Sequence, residues 1–130
     1  MMNKERHSRV LLVEDHRETC ILLQYMLREH FDIVVSSSFE EALAAVENAS
    51  FSLYILDINL GEKRNGIDLL RVFRSMPEID WTPALALTAY VLPGDRDHFL
   101  AAGFDAYLGK PFSREALLQA VDDALKGATA

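Results

Sequence analysis

The 130 residues, half of them hydrophobic and a quarter charged, suit one soluble globular domain with its own core, not a disordered or fibrous chain. Thirteen basic against twenty acidic residues leave a formal net charge of -7, which disfavours nucleic acid and anionic membrane surfaces as partners. The lone cysteine, Cys20, excludes an intrachain disulfide. Met1 to Arg9 lack the apolar core of a signal peptide, and no later stretch approaches the roughly 20 apolar residues of a membrane span, so a cytoplasmic protein is expected.

Short apolar runs alternate with amphipathic segments along the chain. After a polar tail over 1–8, Arg9 to Val13 form the first apolar run, followed by a helical stripe of Cys20, Leu23, Met26 and Leu27. Ile33 to Val35 read as a second strand. Ser38-Phe39-Glu40-Glu41 then has the form of a capping box, opening a helix that presents Phe39, Ala42, Leu43 and Val46. Phe51 to Leu56 form the third strand and Gly66 to Arg74 a helix. Trp81, in the connection from Pro77 to Pro83, is expected to pack locally, and Pro83 to Leu87 form the fourth strand. Pro93 and Gly103 bracket the next helix, since proline favours the start and glycine the end. Phe104 to Leu108 form the fifth strand. Ser113 caps a last helix with the stripe Leu117, Ala120, Val121 and Ala124, Leu118 and Leu125 also being assigned to the core, before a short tail over 127–130.

Strict alternation of strands and helices implies an α/β fold, a doubly wound five-stranded parallel sheet with helices on both faces and strands apolar nearly throughout. The flavodoxin-like form of such a sheet, expected here, has the strand order 2-1-3-4-5. Ligands on such sheets bind beyond the carboxyl ends of the strands. There the chain places Glu14-Asp15, Asp57, Thr88 and Gly109-Lys110-Pro111, while the second strand is followed only by serines.

Each group has an ordinary explanation by itself. Glu14-Asp15 suit a helix start, Asp57 an Asx turn, Thr88 a local cap and Lys110 a solvated surface position. Together they form a chemical set. Three crowded carboxylates call for protons or a cation, and Mg2+, or another hard divalent ion such as Mn2+, accepts oxygen ligands while keeping waters for a phosphorylated substrate. One carboxylate can then attack phosphorus, with an ammonium and a hydroxyl steadying the charge on the transferring group.

Val10-Leu11-Leu12-Val13-Glu14-Asp15, Leu56-Asp57, Leu87-Thr88-Ala89 and Lys110-Pro111-Phe112, with the lesser matches Asn65-Gly66 and Ala102 to Tyr107, resemble the signature set of chemotaxis-regulator-like receiver domains of two-component systems. The resemblance spans residues 9 to 126. It implies that Asp57 is the phosphoacceptor, that Glu14, Asp15 and Asp57 hold Mg2+ with the main-chain carbonyl of Asn59, and that Thr88 and Lys110 contact the phosphoryl group. Tyr107 matches the aromatic switch residue, and Lys110-Pro111 a bond that is usually cis in the family. The donor is then a sensor histidine kinase or a histidine phosphotransfer protein. Output passes through the face of the fourth helix, fifth strand and fifth helix, a face that also suits a homodimer. Such a domain is no enzyme beyond catalysing its own phosphorylation and dephosphorylation.

Two departures stand out. Leu60 to Arg64 replace a common Met-Pro turn with one extra residue, and Gly109 precedes Lys110. A phosphatase of the haloacid-dehalogenase type also uses a post-strand aspartate, but its second Asp is missing here, since Asp57 is followed by Ile58 and Asn59. The intact polar set argues against an inactive receiver-like module. The four histidines show no ligand spacing, and His16 reads as a surface residue at a helix start. No output module follows Lys126, which fits a stand-alone regulator or a receiver cut from a longer chain such as a hybrid kinase.

Overall fold

A computed structural model describes residues 8–61, 63–76, 81–89 and 93–129. Five strands, β1 (Ser8–Val13), β2 (Phe31–Ser36), β3 (Leu53–Asp57), β4 (Ala84–Thr88) and β5 (Ala106–Gly109), alternate with five helices, α1 (Arg17–Leu27), α2 (Phe39–Asn48), α3 (Gly66–Arg74), α4 (Asp95–Ala101) and α5 (Arg114–Thr129). The strands form one sheet, parallel throughout as the helical crossovers require, in the expected order β2-β1-β3-β4-β5.

Burial follows from the period of two along each strand, which sends alternate residues to opposite faces. Val10, Leu12, Leu53, Ile55, Leu85 and Leu87 face α1 and α5, where Cys20, Leu23, Leu27, Leu117, Ala120, Val121 and Ala124 complete one core. Leu11, Val13, Tyr54, Leu56, Ala84 and Ala86 face α2, α3 and α4 and pack with Phe39, Ala42, Val46, Leu69, Leu70, Phe73 and Phe99. Leu118 and Leu125 pack partly buried against the first of these cores. β2 departs from the expectation that helices cover both faces of strands apolar nearly throughout. It is an edge strand with one neighbour, so Val34 and Val35 stay partly exposed.

The helix ends carry their own signals. Ser38 caps α2 by accepting the Glu41 N–H, but the Glu41 carboxylate turns to the Ser37 N–H and hydroxyl, so the expected box is offset by one residue. A complete capping box stands instead at α3, where Asn65 accepts the Asp68 N–H and Asp68 accepts the Asn65 N–H. α4 ends in a Schellman turn: Gly103, at φ 112, donates to Leu100 and Phe104 donates to Phe99, while the rings of Phe99 and Phe104 meet edge to face. Ser113 caps α5 by accepting the Ala116 N–H.

Three local expectations need correction. Trp81 does not pack: it is 85% exposed on the connection entering β4, at an end of the sheet where nothing covers it among the described residues. Residues 77–80 of that connection lie outside the described residues, as does the N-terminal tail up to His7, while Ser8 already pairs with Phe31 in the sheet. α5 continues through Thr129, three residues into the segment expected as a tail, because no proline or left-handed residue ends it at Lys126. No helix among the described residues is long and apolar enough to cross a membrane.

Candidate active site

Parallel register sets the polar residues level with one another. Val13 pairs with Leu56, Asp57 with Leu87 and Thr88 with Gly109, so Glu14, Asp57, Thr88 and Lys110 emerge together at the carboxyl rim. Main-chain bonds hold this edge: Ile58 N–H donates to Leu87 O, and Lys110 N–H to Thr88 O. The Lys110-Pro111 bond is cis, as the resemblance implies.

Glu14 and Asp57 are buried, at 0% and 1% exposure, and Lys110 bridges them. Its Nζ lies 2.9 Å from Glu14 Oε1 and 3.2 Å from Asp57 Oδ2. The second contact is a hydrogen bond. The first has the distance of an ion pair without the alignment, which leaves Glu14 Oε1 a buried oxygen with no hydrogen-bond partner. Lys110 is therefore not the solvated lysine of the ordinary reading. Asp57 Oδ1 accepts the Asn59 N–H at 3.1 Å, so the Asx turn and the site coexist in one residue. Asp15 does not cap α1. That place belongs to His16, whose side chain makes no capping bond.

Burial of two neighbouring carboxyls forces them apart in acidity. Burial, reinforced by Glu14, pushes Asp57 up to about 7 against the pull of Lys110. Burial also acts on Glu14, but contacts with Asp57 and Lys110 and the hydrogen bond from the His16 main chain outweigh it and hold Glu14 below the usual carboxylate range. Lys110 is held above its ordinary value, the two carboxylates overcoming the effect of burial. Cys20, pushed up to about 11 mainly by burial, points its thiol at the Glu14 carbonyl and is chemically quiet.

A cavity of about 270 Å³ opens over Asp57, lined among others by Asn59, Thr88 and Lys110. Thr88 is 5% exposed at this edge. Carboxylate oxygens of Glu14, Asp15 and Asp57, with a ring nitrogen of His16, lie within 4.8 Å of one another. Three gathered carboxylates faced by the single ammonium of Lys110 offer oxygen ligands that fit a hard divalent cation. Asn59 stands beside this set, its side-chain oxygen accepting the Gly61 N–H. Tyr107 lies on β5 half-buried, its ring 6.0 Å from that of Phe99, apart from the acidic set.

Two glycines matter here beyond the residues marked by their chemistry. A Cβ on Gly66 would fall 2.3 Å from the Asp57 carbonyl oxygen, and one on Gly61, at φ +71, would fall 2.8 Å from Asp15 Oδ2. Gly66 stands within the Asn65-Gly66 match, and Gly61 marks the lengthened loop. Only the fold reveals what each makes room for.

The model of the response regulator receiver domain family matches residues 10–122. The transcriptional regulatory protein CpxR of Escherichia coli (strain K12) is 36% identical over 120 residues, 92% of this chain and 50% of CpxR; this chain thus spans about half the length of that relative. The chemotaxis response regulator CheY4 of Vibrio cholerae superposes with a TM-score of 0.85 at 26% identity, covering 92% of this chain and all of CheY4. The receiver domain of the sensor histidine kinase PA1611 of Pseudomonas aeruginosa PAO1, a structure with magnesium coordinated in its active site cleft, superposes with a TM-score of 0.81 at 28% identity over 93% of this chain and 99% of that one. Sheet order, buried acidic rim and sequence agree on one conclusion: this chain belongs to the response regulator receiver domain family.

Proposed function

We propose that the chain is the phosphoacceptor switch of a cytoplasmic two-component phosphorelay, its receiver unit running over residues 9–126. The observation that carries this reading is the meeting of Lys110 with both Glu14 and Asp57, where Asp57 and Lys110 line the same cavity as Thr88.

Glu14, Asp15 and Asp57, with the Asn59 main-chain carbonyl, would hold the divalent cation, as the magnesium in the PA1611 receiver suggests. When bound, the cation neutralises the acidic rim and the charge on the phosphoryl oxygens. An oxygen of Asp57 attacks phosphorus in line, the bond from phosphorus to the donor imidazole nitrogen breaks, and that imidazole leaves with the electron pair. Lys110, already charged, moves onto the phosphoryl oxygens, and the Thr88 hydroxyl donates to another. Tyr107 then turns further into the space beside Phe99, and the face of α4, β5 and α5 shifts toward the form that a partner reads. Phosphate drives this shift only by binding the active form more tightly than the resting one. A sensor histidine kinase or a histidine phosphotransfer protein supplies the group, and hydrolysis of the acyl phosphate resets the switch.

The test is phosphorylation by acetyl phosphate in the presence of Mg2+. Wild type should gain one acid-stable, base-labile phosphoryl group, and Asp57→Asn should gain none. Labelling that survives in Asp57→Asn moves the acceptor elsewhere and ends this assignment.

A further inference from the structure

His30 and His98 pack beside Phe31 and Phe99, each a sequence neighbour. His16 is placed differently. It is the first residue before α1, in extended conformation, and its ring is 73% exposed and turned back over the acidic pair instead of capping the helix. Nδ1 stands 3.5 Å from Glu14 Oε2 and 3.5 Å from Asp15 Oδ1. The His16 main-chain N–H donates to the same Glu14 oxygen at 3.1 Å, tying the carboxylate and the imidazole to one short segment.

These two distances can be compared with the edges of a coordination shell. With metal–ligand bonds of about 2.0–2.1 Å, neighbouring ligand atoms lie roughly 3.4 Å apart around a tetrahedral ion and roughly 2.9 Å apart around an octahedral one. The two edges from His16 Nδ1 match the first and need a movement of about half an ångström to match the second. Glu14 Oε1, fully buried in the same carboxylate, meets the Lys110 ammonium at 2.9 Å without hydrogen-bond alignment, so a single ammonium faces the three carboxylates gathered here.

We propose that His16 is a protein ligand that sets the metal specificity of the acidic rim. By adding an imidazole to the carboxylates of Glu14 and Asp15, it makes the site favour borderline transition-metal ions such as Co2+ over Mg2+. Magnesium takes oxygen ligands and gives up its waters reluctantly, whereas imidazole binds ions later in the divalent series more strongly. The inference rests on the reading of the acidic rim as a cation site.

The experiment titrates Co2+ alone into the full chain and into His16→Ala, followed by visible absorption and proton NMR, with Mg2+ titrated in parallel by calorimetry. Since the ring is largely exposed, the variant should keep its fold, which circular dichroism checks. Wild type should bind Co2+ at least about tenfold more tightly than His16→Ala and show a paramagnetically shifted imidazole N–H that the variant lacks, while Mg2+ affinity changes less than about threefold. Equal Co2+ affinity in the two proteins, or an equal loss for both metals, overturns the ligand role of His16. A wild-type chain that binds neither metal overturns the acidic-rim reading itself, a distinguishable failure.

Discussion

Lys110 places its ammonium 3.2 Å from the Asp57 carboxylate, and the same nitrogen reaches Glu14 from the other side. One positive charge thus offsets two buried carboxyls. Removing it in Lys110→Ala leaves the acids without their cation, which should cost on the order of 3 kcal/mol in EDTA. Added Mg2+ should recover part of that loss, as urea denaturation with and without metal will show. The variant should still accept phosphate from acetyl phosphate, but without the change on the α4-β5-α5 face. Normal switching in this variant would remove Lys110 from the relay.

Asp57 titrates near neutrality, and the sign of its effect on stability follows. The carboxyl stands at 3.8 in its ordinary state and is pushed up to about 7 in the fold, so the folded protein holds the proton more tightly. Its contribution is complete below pH 3.8 and fades as pH rises to 7, by at most about 4 kcal/mol. Asp57→Asn, which cannot ionise, should therefore raise the melting temperature of the metal-free protein at pH 8 more than at pH 5. A gain independent of pH would show that ionisation of Asp57 is not the cause.

Gly66 has no room for a side chain. Its missing Cβ would stand 2.3 Å from the Asp57 carbonyl oxygen, and its N–H donates to Ile58 O in the same turn. Gly66→Ala must push the acceptor strand away or break that turn. The expected cost is about 1–3 kcal/mol, together with slower labelling by acetyl phosphate. Unchanged melting and labelling would mean that the contact relaxes freely.

Asn65 closes the capping box at the start of α3, accepting the Ile67 and Asp68 N–H groups while its own N–H goes to Asp68. Asn65→Ala should lower stability by about 1–2 kcal/mol, whereas Asn65→Ser, which keeps an acceptor, should lose less. Thermal denaturation of the two variants side by side decides it.

Residue type and order made most of the fold legible. The apolar runs locate all five strands, and the 3.6-residue stripes of α1, α2 and α5 name side chains that the structure buries, Met26 and Leu43 only in part. The carboxyl-end rule brings Glu14, Asp57 and Lys110 together because parallel strands in register carry their last residues to one line. Other features depend on distances that sequence does not contain. The offset of Glu41 to Ser37, the crowding behind Gly66 and the turn of His16 toward the acids all arise from local backbone direction. Edge exposure of Val34 and Val35 is a matter of sheet order, since an identical apolar run in the centre would be covered on both sides.

The exposed position of Trp81 has a consequence for observing this molecule. It is the sole tryptophan, and it precedes β4 while Asp57 stands level with that strand's far end. At about 3.3 Å per residue, the three steps of β4 from Ala84 to Leu87, the partner of Asp57, alone set them roughly 10 Å apart, and Trp81 stands three residues before Ala84. Intrinsic emission will therefore stay dark to events at the acidic rim. An indole introduced at half-buried Ile58, beside the acceptor, would give the chain an optical reporter that nature placed at the opposite pole.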